Sequence, residues 1–329
     1  MSDTVSFRLP ARTLALSAAA VVLGTTLIGL CALLLGASVA WAAYLGVLFL
    51  IGPARKLPLG QQAMAAGWAV LVAAAGVLLA GTGTWPTLLA LVIVCLGQGV
   101  FALGEIATLI RSPASLIIFS GFGGPENGAA MGLWSAVGGV SIGVVTVLVL
   151  SRFASVGAPL PPSRPLRERM RSGMVLALGC VLTVLIAESV GLPKLHWALL
   201  ALCLVLGTQP GGSGARAAQR VAGTVAGVVF AVLAAQVLPS ALILVLVFGC
   251  AILCVAYLSR GELTLYLACL TPAILLLGSF GSDQSSMAAG ADRILATLLG
   301  VGVALLMEPV LRCWLRVDAP ARARHRGGA

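Results

Sequence analysis

The sequence predicts an all-α polytopic membrane protein with twelve transmembrane helices, arranged as two parallel six-helix repeats with both termini in the cytoplasm. The first supporting observation is the composition: 60% of the residues are hydrophobic and only 9% are charged, whereas a soluble domain has about 25% charged residues. The mean hydropathy of +1.10 agrees with this. The other two observations are a succession of apolar windows and a similarity between the two halves of the chain.

The apolar windows predict the individual helices. A helix crosses a bilayer core of about 30 Å with roughly 20 residues, and short polar segments separate the apolar windows of this chain. The windows are 13–35, 38–51, 61–81, 85–103, 107–122, 128–150, 173–191, 196–207, 215–237, 240–258, 263–280 and 290–311. The second, fifth and eighth windows are short for a crossing, so we expect those helices to be tilted, extended by flanking residues or broken.

The distribution of positive charge predicts the orientation, because lysine and arginine in short loops gather on the cytoplasmic side. With the N-terminus inside, the basic residues of the inner segments are Arg8, Arg12, Arg55, Lys56, Arg111, Arg152, Arg164, Arg167, Arg169, Arg171, Arg216, Arg260, Arg312, Arg316, Arg322, Arg324 and Arg326. The outer loops hold Lys194, Glu126 and Asp283. The net charge of +10 therefore reflects topology and contact with anionic lipid headgroups, and we expect no nucleic-acid partner.

The windows and the polar break between them divide the chain into four segments. These are a first six-helix repeat (1–150), a Pro-rich basic cytoplasmic linker (151–172), a second six-helix repeat (173–314) and a basic cytoplasmic tail (315–329). The first window follows Arg8 and Arg12 as a signal peptide would, but it is long and lacks a convincing cleavage region. We therefore expect it to remain as a helix.

The two halves of the chain align with each other. A shift of 156 positions places Trp197 on Trp41 and Gly223 on Gly67, and a shift of 159 places Pro272 on Pro113 and Gly302 on Gly143. Because each half has an even number of predicted crossings, both halves begin on the same side. The repeats are then parallel and related by an axis along the membrane normal.

The charged positions of the second repeat have no counterpart in the first. In the alignment Arg220 falls on Met64, and Arg293 falls on Trp134. A site on the axis between the repeats would be cationic on one side and apolar and aromatic on the other. Such a site suits an amphipathic organic anion.

The second half resembles the fusaric acid resistance and aromatic acid exporter family, which is similar to the plant aluminium-activated malate transporters. The matching residues are Trp197-Ala198, the Gly-rich turn that ends near Gly214, Arg220-x-x-Gly223-Thr224-x-x-Gly227, Tyr266 to Pro272 and Arg293 to Gly300. The likeness is strongest over 195–311, and the first half joins it only as a degenerate repeat. The resemblance implies an exporter or conduit for organic, often aromatic, carboxylates.

Two arginines near the start of the ninth window are the main candidates for binding such a carboxylate. Arg216 and Arg220 are four residues apart and share one helix face, from which a carboxylate could accept a forked pair of hydrogen bonds. The alternative is that the side chains snorkel to lipid headgroups, which we favour for Arg216 but not for Arg220. Thr224 follows Arg220 within the family motif and is a further candidate. Gly223 and Gly227 favour close helix packing.

Proline interrupts the eleventh window at Thr271-Pro272 and the fifth at Ser112-Pro113. Proline removes one backbone donor and leaves a carbonyl that a hydroxyl or a ligand can satisfy. Paired breaks at equivalent positions of two repeats point to a site near the midplane, although simple kinks are an equal alternative. Thr271 is therefore a candidate substrate-binding residue.

Aromatic and acidic candidates complete the set. Trp197, like Trp41 and Trp134, could stack on an aromatic ring or anchor its helix at the membrane interface. Asp292 and Arg293 point in different directions. We favour structural ion pairs for both over substrate contact by Arg293. Glu188 would carry a proton against the substrate if it were buried, and would otherwise be interfacial.

Nothing in the sequence indicates catalysis. The eight cysteines have no metal-binding or redox spacing and are Cys31, Cys95, Cys180, Cys203, Cys250, Cys254, Cys269 and Cys313. The sequence has no P-loop, no metal-ligand cluster and no nucleophile elbow. We therefore expect no enzyme activity, no catalytic residue, no metal and no cofactor.

Three functions fit these observations. The first is an exporter of aromatic or amphipathic carboxylates in a bacterial-type inner (cytoplasmic) membrane, with a site between the repeats. The second is a passive organic-anion channel, favoured by the resemblance to malate conduits. The third is a membrane scaffold or accessory subunit whose charges are structural. A homo-oligomer is compatible with each of them.

Overall fold

A computed structural model describes eight parts of the chain, which are residues 9–50, 58–103, 109–123, 129–152, 164–207, 213–260, 262–279 and 286–316. Within these parts the chain is helical and contains no strand. The helices are α1 (Ala11–Leu35), α2 (Ala37–Leu50), α3 (Leu59–Leu78), α4 (Thr84–Val100), α5 (Ser112–Ser120), α6 (Ala129–Arg152), α7 (Leu166–Ser189), α8 (Leu195–Leu206), α9 (Ser213–Val237), α10 (Ser240–Arg260), α11 (Leu263–Ser279) and α12 (Ser286–Arg316). Each apolar window overlaps one of them.

Seven of these helices are long and apolar enough to cross a membrane, which makes the chain a multi-pass membrane protein. They are α1, α3, α6, α7, α9, α10 and α12. The other five helices are shorter; α8, with 12 residues, covers only about 18 Å at 1.5 Å per residue. The helices are confirmed, while twelve complete crossings and the cytoplasmic position of the termini stay predictions.

The chain forms two compact units. Unit 1 comprises Met1–Leu27 and Gly214–Leu299, and unit 2 comprises Ile28–Ser213 and Gly300–Ala329. Nearly all of α9, all of α10 and α11, and the first part of α12 therefore belong to unit 1. The helices from α2 to α8 belong to unit 2, with the last part of α12.

Small residues bring helix backbones together in unit 2. A Cβ atom added to Gly139 would collide with the backbone of Val39 in α2, and one added to Gly143 would collide with the backbone of Ala43. A step of four residues along α6 thus matches a step of four along α2, so these two helices run in the same direction. Close packing through small residues is the usual way in which helices associate in lipid.

The same pairs of helices pack in both halves of the chain. In the first half α2 packs on α6, α3 on both α5 and α6, and α4 on α5. In the second half the equivalent contacts join α8 to α12, α9 to both α11 and α12, and α10 to α11. This agreement is what an internal repeat would produce, although the six-helix repeat itself stays a prediction.

Two helix boundaries differ from the expectations. α7 begins at Leu166, so the end of the predicted linker is helical. Pro165 precedes a run rich in leucine, arginine, glutamate and methionine, which all favour helix despite their charge. Pro113 lies in the first turn of α5, where a missing N–H breaks no hydrogen bond. Of the two prolines, Pro272 lies inside its helix, whereas Pro113 follows the 3₁₀ turn Leu109–Arg111 at the start of α5, so the two interruptions are of different kinds.

Candidate anion-binding site

One face of α9 carries the motif predicted to bind substrate. Arg220, Gly223, Thr224 and Gly227 recur at helical spacing and are all buried. The Arg220 side chain is only 2% exposed and is among the largest fully buried side chains of the described residues. The snorkelling alternative is therefore wrong for Arg220, because a snorkelling side chain would leave the interior.

The two glycines of this face let α11 approach α9 closely. A Cβ atom on Gly223 would lie 2.7 Å from the Thr264 carbonyl oxygen, and one on Gly227 would lie 2.7 Å from Cβ of Thr271. Contacts shorter than 3.0 Å do not fit real Cβ atoms, so only glycine allows this spacing. α9 and α11 also run in the same direction, as we expect of helices separated by one other crossing.

Thr271 and Pro272 place polar atoms at this contact. Pro272 has no N–H, so the Ala268 carbonyl four residues earlier lacks its usual helical donor. That carbonyl oxygen lies 3.0 Å from the Cβ position of Gly227. The Thr271 side chain is fully buried, and its Oγ1 makes no hydrogen bond within the described parts of the chain.

The first part of α12 completes the site. Arg293 is 2% exposed and is close enough to Arg220 and Tyr266 to interact with both electrostatically. Gly290, one turn earlier, lies against Val228 of α9. We call Arg220, Thr224, Thr271 and Arg293 the arginine cluster. All four side chains are buried, belong to unit 1 and had been predicted as candidates from the sequence.

The arginine cluster concentrates positive charge where water is scarce. Each guanidinium presents five N–H donors and remains protonated, and the two like charges repel each other. An anion near both groups would offset this repulsion. Planar carboxylates match the guanidinium fork, because two parallel N–H···O bonds can form at once.

Four other predicted residues take different positions. Arg216 is only partly buried, one turn before Arg220, as its snorkelling interpretation allows. Trp197 is in α8 of unit 2, where the centre of its ring lies 4.7 Å from that of His196. Trp41 and Trp134 are 56% and 66% exposed, which favours their anchoring role over stacking on a ligand.

Glu188 lies outside the arginine cluster, in unit 2. Glu188 is exposed near the end of α7 and accepts a hydrogen bond of 2.8 Å from Thr84 Oγ1. The burial that its proton-carrier role required is therefore missing, and the interfacial interpretation is favoured. Asp292 is partly buried beside Arg293.

The expected absence of catalysis stays a prediction. All eight cysteines are free thiols, and no group of three or more metal-ligating side chains occurs within the described ranges.

The sequence analysis did not propose one residue of the site, Tyr266, which is close enough to Arg293 to interact with it electrostatically. Its signal was its place at the start of the YLACLTP segment, five residues before Thr271.

Comparison with known proteins confirms the resemblance over part of the chain. Residues 181–307 match the model of the fusaric acid resistance protein-like family. The matched segment contains all of α9, α10 and α11 and every residue of the arginine cluster. The chain matches no curated protein and no solved structure.

Proposed function

From the family match over residues 181–307 and the buried arginine cluster, we propose that this chain exports organic carboxylates across a bacterial-type inner membrane. The proposed substrates are aromatic or amphipathic acids. Fusaric acid, which the family description names, is itself an aromatic carboxylic acid. The observation that carries the proposal is the burial of Arg220 and Arg293 within electrostatic reach of each other.

Energetics supports an anionic ligand for this site. Placing one arginine at the centre of a membrane helix costs about 2.5–3.5 kcal/mol on insertion scales, so two arginines cost roughly twice as much before their mutual repulsion is counted. A protein keeps such residues for a function or for a strong structural partner. A carboxylate held by both guanidinium groups lowers this cost whenever substrate is bound.

The neighbouring side chains suit an amphipathic acid. The buried hydroxyls of Thr224, on the same face of α9 as Arg220, and of Thr271, in α11 opposite Gly227, offer further polar contacts, while Leu267, also buried, is apolar. An aromatic or alkyl part of the substrate would pack on such a surface. The contribution of Trp197 and of the first repeat to the opposite wall stays a prediction.

The decisive experiment measures flux through Arg220 variants in liposomes. We expect Arg220→Gln to lower the uptake of a labelled aromatic carboxylate roughly ten- to a hundredfold, because losing a charge-assisted hydrogen bond costs about 1.5–3 kcal/mol. Arg260→Gln is the matched control, since Arg260 is an exposed arginine at the end of α10 in the same unit. The control should transport like wild type.

Two results would contradict the proposal. Equal flux through the Arg220 and Arg260 variants at equal protein content would remove the arginine cluster from the mechanism. Liposomes that pass no acid from a broad panel, although the protein is folded, would favour the scaffold alternative.

A passive organic-anion channel is the second candidate. The exposure of Glu188 favours it, because Glu188 was expected to carry a proton against the substrate only if its side chain were buried. Flux that follows membrane voltage and ignores an imposed proton gradient would support the channel. Flux that requires the proton gradient would support coupled export. Both mechanisms predict the same loss in Arg220→Gln.

A further inference from the structure

A second candidate site lies in unit 2, in a pocket that the proposed function does not use. The end of α4, the start of α7 and the end of α8 line the pocket. Its polar lining residues are Gln98, Arg164, Arg169 and Ser172. Three of these four side chains carry buried polar atoms that make no hydrogen bond to the described residues.

Gln98 is the deepest of the polar groups. The residue is 1% exposed, and its Nε2 donates a hydrogen bond of 2.7 Å to the Leu109 carbonyl. This bond fixes the orientation of the amide, so the other amide atom, Oε1, is an acceptor. Oε1 has no hydrogen-bond partner in the described chain. A buried acceptor left in this state costs about 1–3 kcal/mol, which a ligand with a donor would recover.

Arg169 and Ser172, which also line the pocket, carry hydrogen-bond donors. They are three residues apart in α7, so they lie on one face of the helix. Nη1 of Arg169 donates to the Val100 carbonyl at 3.2 Å and holds the guanidinium in place. Nε of Arg169 and Oγ of Ser172 are buried and make no hydrogen bond within the described ranges.

Close backbone packing fixes these groups relative to each other. A Cβ atom on Gly99 would lie 2.9 Å from the Arg169 carbonyl oxygen, and one on Gly173 would lie 2.8 Å from the Cys95 carbonyl oxygen. The two glycines adjoin Gln98 and Ser172 in the chain. The acceptor of α4 and the donors of α7 are therefore held in a rigid arrangement, which favours binding because little order is lost.

We propose that this pocket binds a phosphate group whose ester carries a neighbouring hydroxyl. Nε of Arg169 and Oγ of Ser172 donate to the phosphate oxygens, and Gln98 Oε1 accepts from the ligand hydroxyl. A second guanidinium, that of Arg164, lines the pocket. Two arginines match the charge and the three acceptor oxygens of a phosphate better than those of a single carboxylate.

Two sources can supply this chemistry, a free polyol phosphate and the headgroup of a hydroxylated anionic lipid. The remaining walls include Leu176, Leu206 and Leu311, against which an apolar chain can pack. The pocket is built from the helix ends that the charge distribution assigns to the cytoplasmic face, where lipid headgroups and soluble phosphate esters both occur.

The test compares ligand binding to purified variants by ligand-induced thermal stabilisation in neutral detergent. The probes are glycerol 3-phosphate for the free source and dihexanoyl phosphatidylglycerol for the lipid source. Dihexanoyl phosphatidylcholine is the control lipid, because it has neither net charge nor hydroxyl. Binding to the native state raises the melting temperature in proportion to the logarithm of ligand concentration over Kd.

We expect Arg169→Gln to weaken binding of the effective probe by about tenfold or more. Ser172→Ala should weaken it several-fold while leaving the melting temperature of the free protein unchanged, since its hydroxyl has no hydrogen bond to lose. The matched control is Arg167→Gln, which removes the same charge from an exposed position of the same helix. It should bind like wild type.

The outcomes separate the two sources and can overturn the proposal. Stabilisation by phosphatidylglycerol alone assigns the pocket to a lipid, and stabilisation by glycerol 3-phosphate assigns it to a soluble ester. No stabilisation by either probe, equal loss in the Arg167 and Arg169 variants, or equal stabilisation by phosphatidylcholine would overturn it. None of these results depends on transport through the arginine cluster.

Discussion

Thr271 has a buried hydroxyl oxygen that forms no hydrogen bond within the described chain. A side chain of this kind is unfavourable in the free protein, because the hydroxyl has lost its bonds to water without gaining others. We expect the hydroxyl to recover this lost free energy by making a hydrogen bond to a bound ligand. Stability and substrate affinity should therefore respond to its removal in opposite directions.

Thr271→Val tests this expectation, since valine keeps the shape of threonine and removes the hydroxyl. We expect the free energy of unfolding to stay the same or rise by up to about 1–3 kcal/mol, while the affinity for a transported acid falls several-fold. Thr183→Val is the control: Thr183 is equally buried, but its Oγ1 donates a 2.8 Å hydrogen bond to the Gly179 carbonyl. The control should lose about 1 kcal/mol of stability and no substrate affinity.

A loss of stability in Thr271→Val, equal to that in Thr183→Val and with unchanged affinity, would show that Thr271 is structural. Thermal unfolding and a binding isotherm on the same two variants measure both quantities.

At the scale of single residues, the sequence was most informative where a charged residue occurs in an apolar window. Arginine in an apolar window is costly, and this cost correctly predicted that Arg220 faces the interior. Exposure and pairing were less predictable. Glu188 and Arg216 both lie near the end of an apolar window, and only the packing of other helices decides how much of each side chain is buried.

At the scale of the helices, the contact of α9 with α11 depends on glycine. We expect Gly227→Ala to destabilise the protein by about 1–3 kcal/mol, because the added methyl would overlap Thr271 and Pro272. Gly249→Ala in α10 is the matched control, since a Cβ atom there meets nothing within 4 Å. Alanine favours helix over glycine, so the control should be neutral or slightly stabilising.

Thermal unfolding in detergent measures both glycine variants. A Gly227→Ala protein as stable as Gly249→Ala would show that α9 and α11 do not pack in solution as they do here.

The existence of the helices could be predicted from apolar windows, and their ends could not. The window 107–122 predicted a transmembrane helix. In the structure α5 contains only Ser112–Ser120, with a 3₁₀ turn at Leu109–Arg111 and another at Gly121–Gly123. Pro113 at the start of α5 and Gly121 after its end limit this helix, yet neither residue lowers the hydropathy of the window enough to show it. Conversely, the charged residues just before Gly173 lower the hydropathy of the sequence, but α7 begins before them, at Leu166.

At the scale of the whole molecule, the predicted orientation can be tested with thiol labelling. Cys313 is exposed near the end of α12, on the side that the charge distribution assigns to the cytoplasm. In a background that retains Cys313 alone, a membrane-impermeant maleimide should label the protein only after the cells are permeabilised. Lys194→Cys in a cysteine-free background should be labelled in intact cells.

Labelling of Cys313 in intact cells, or protection of the cysteine at position 194, would reverse the orientation and place the basic helix ends outside. Lys194 precedes α8 directly, so the second variant also reports on whether the short α8 begins at the outer face.

At this scale the sequence predicted the class of the protein better than its compact units. The alignment of the halves placed Gly223 on Gly67, but a Cβ atom on Gly223 would collide with α11, whereas one on Gly67 would meet nothing within 4 Å. It could not foresee that α12 divides between the two units near Leu299 and Gly300. That division depends on which long-range contacts form, and hydropathy carries no such information.

Pro272 gives α11 its lowest bending stiffness beside Thr271, since the hydrogen bond that would resist curvature there is missing. The wall of the arginine cluster can accordingly widen or narrow by flexing one helix, with no further bond to break. For the export that we propose, fixed charge beside one flexible helix predicts that the same two arginines accept acids of different width.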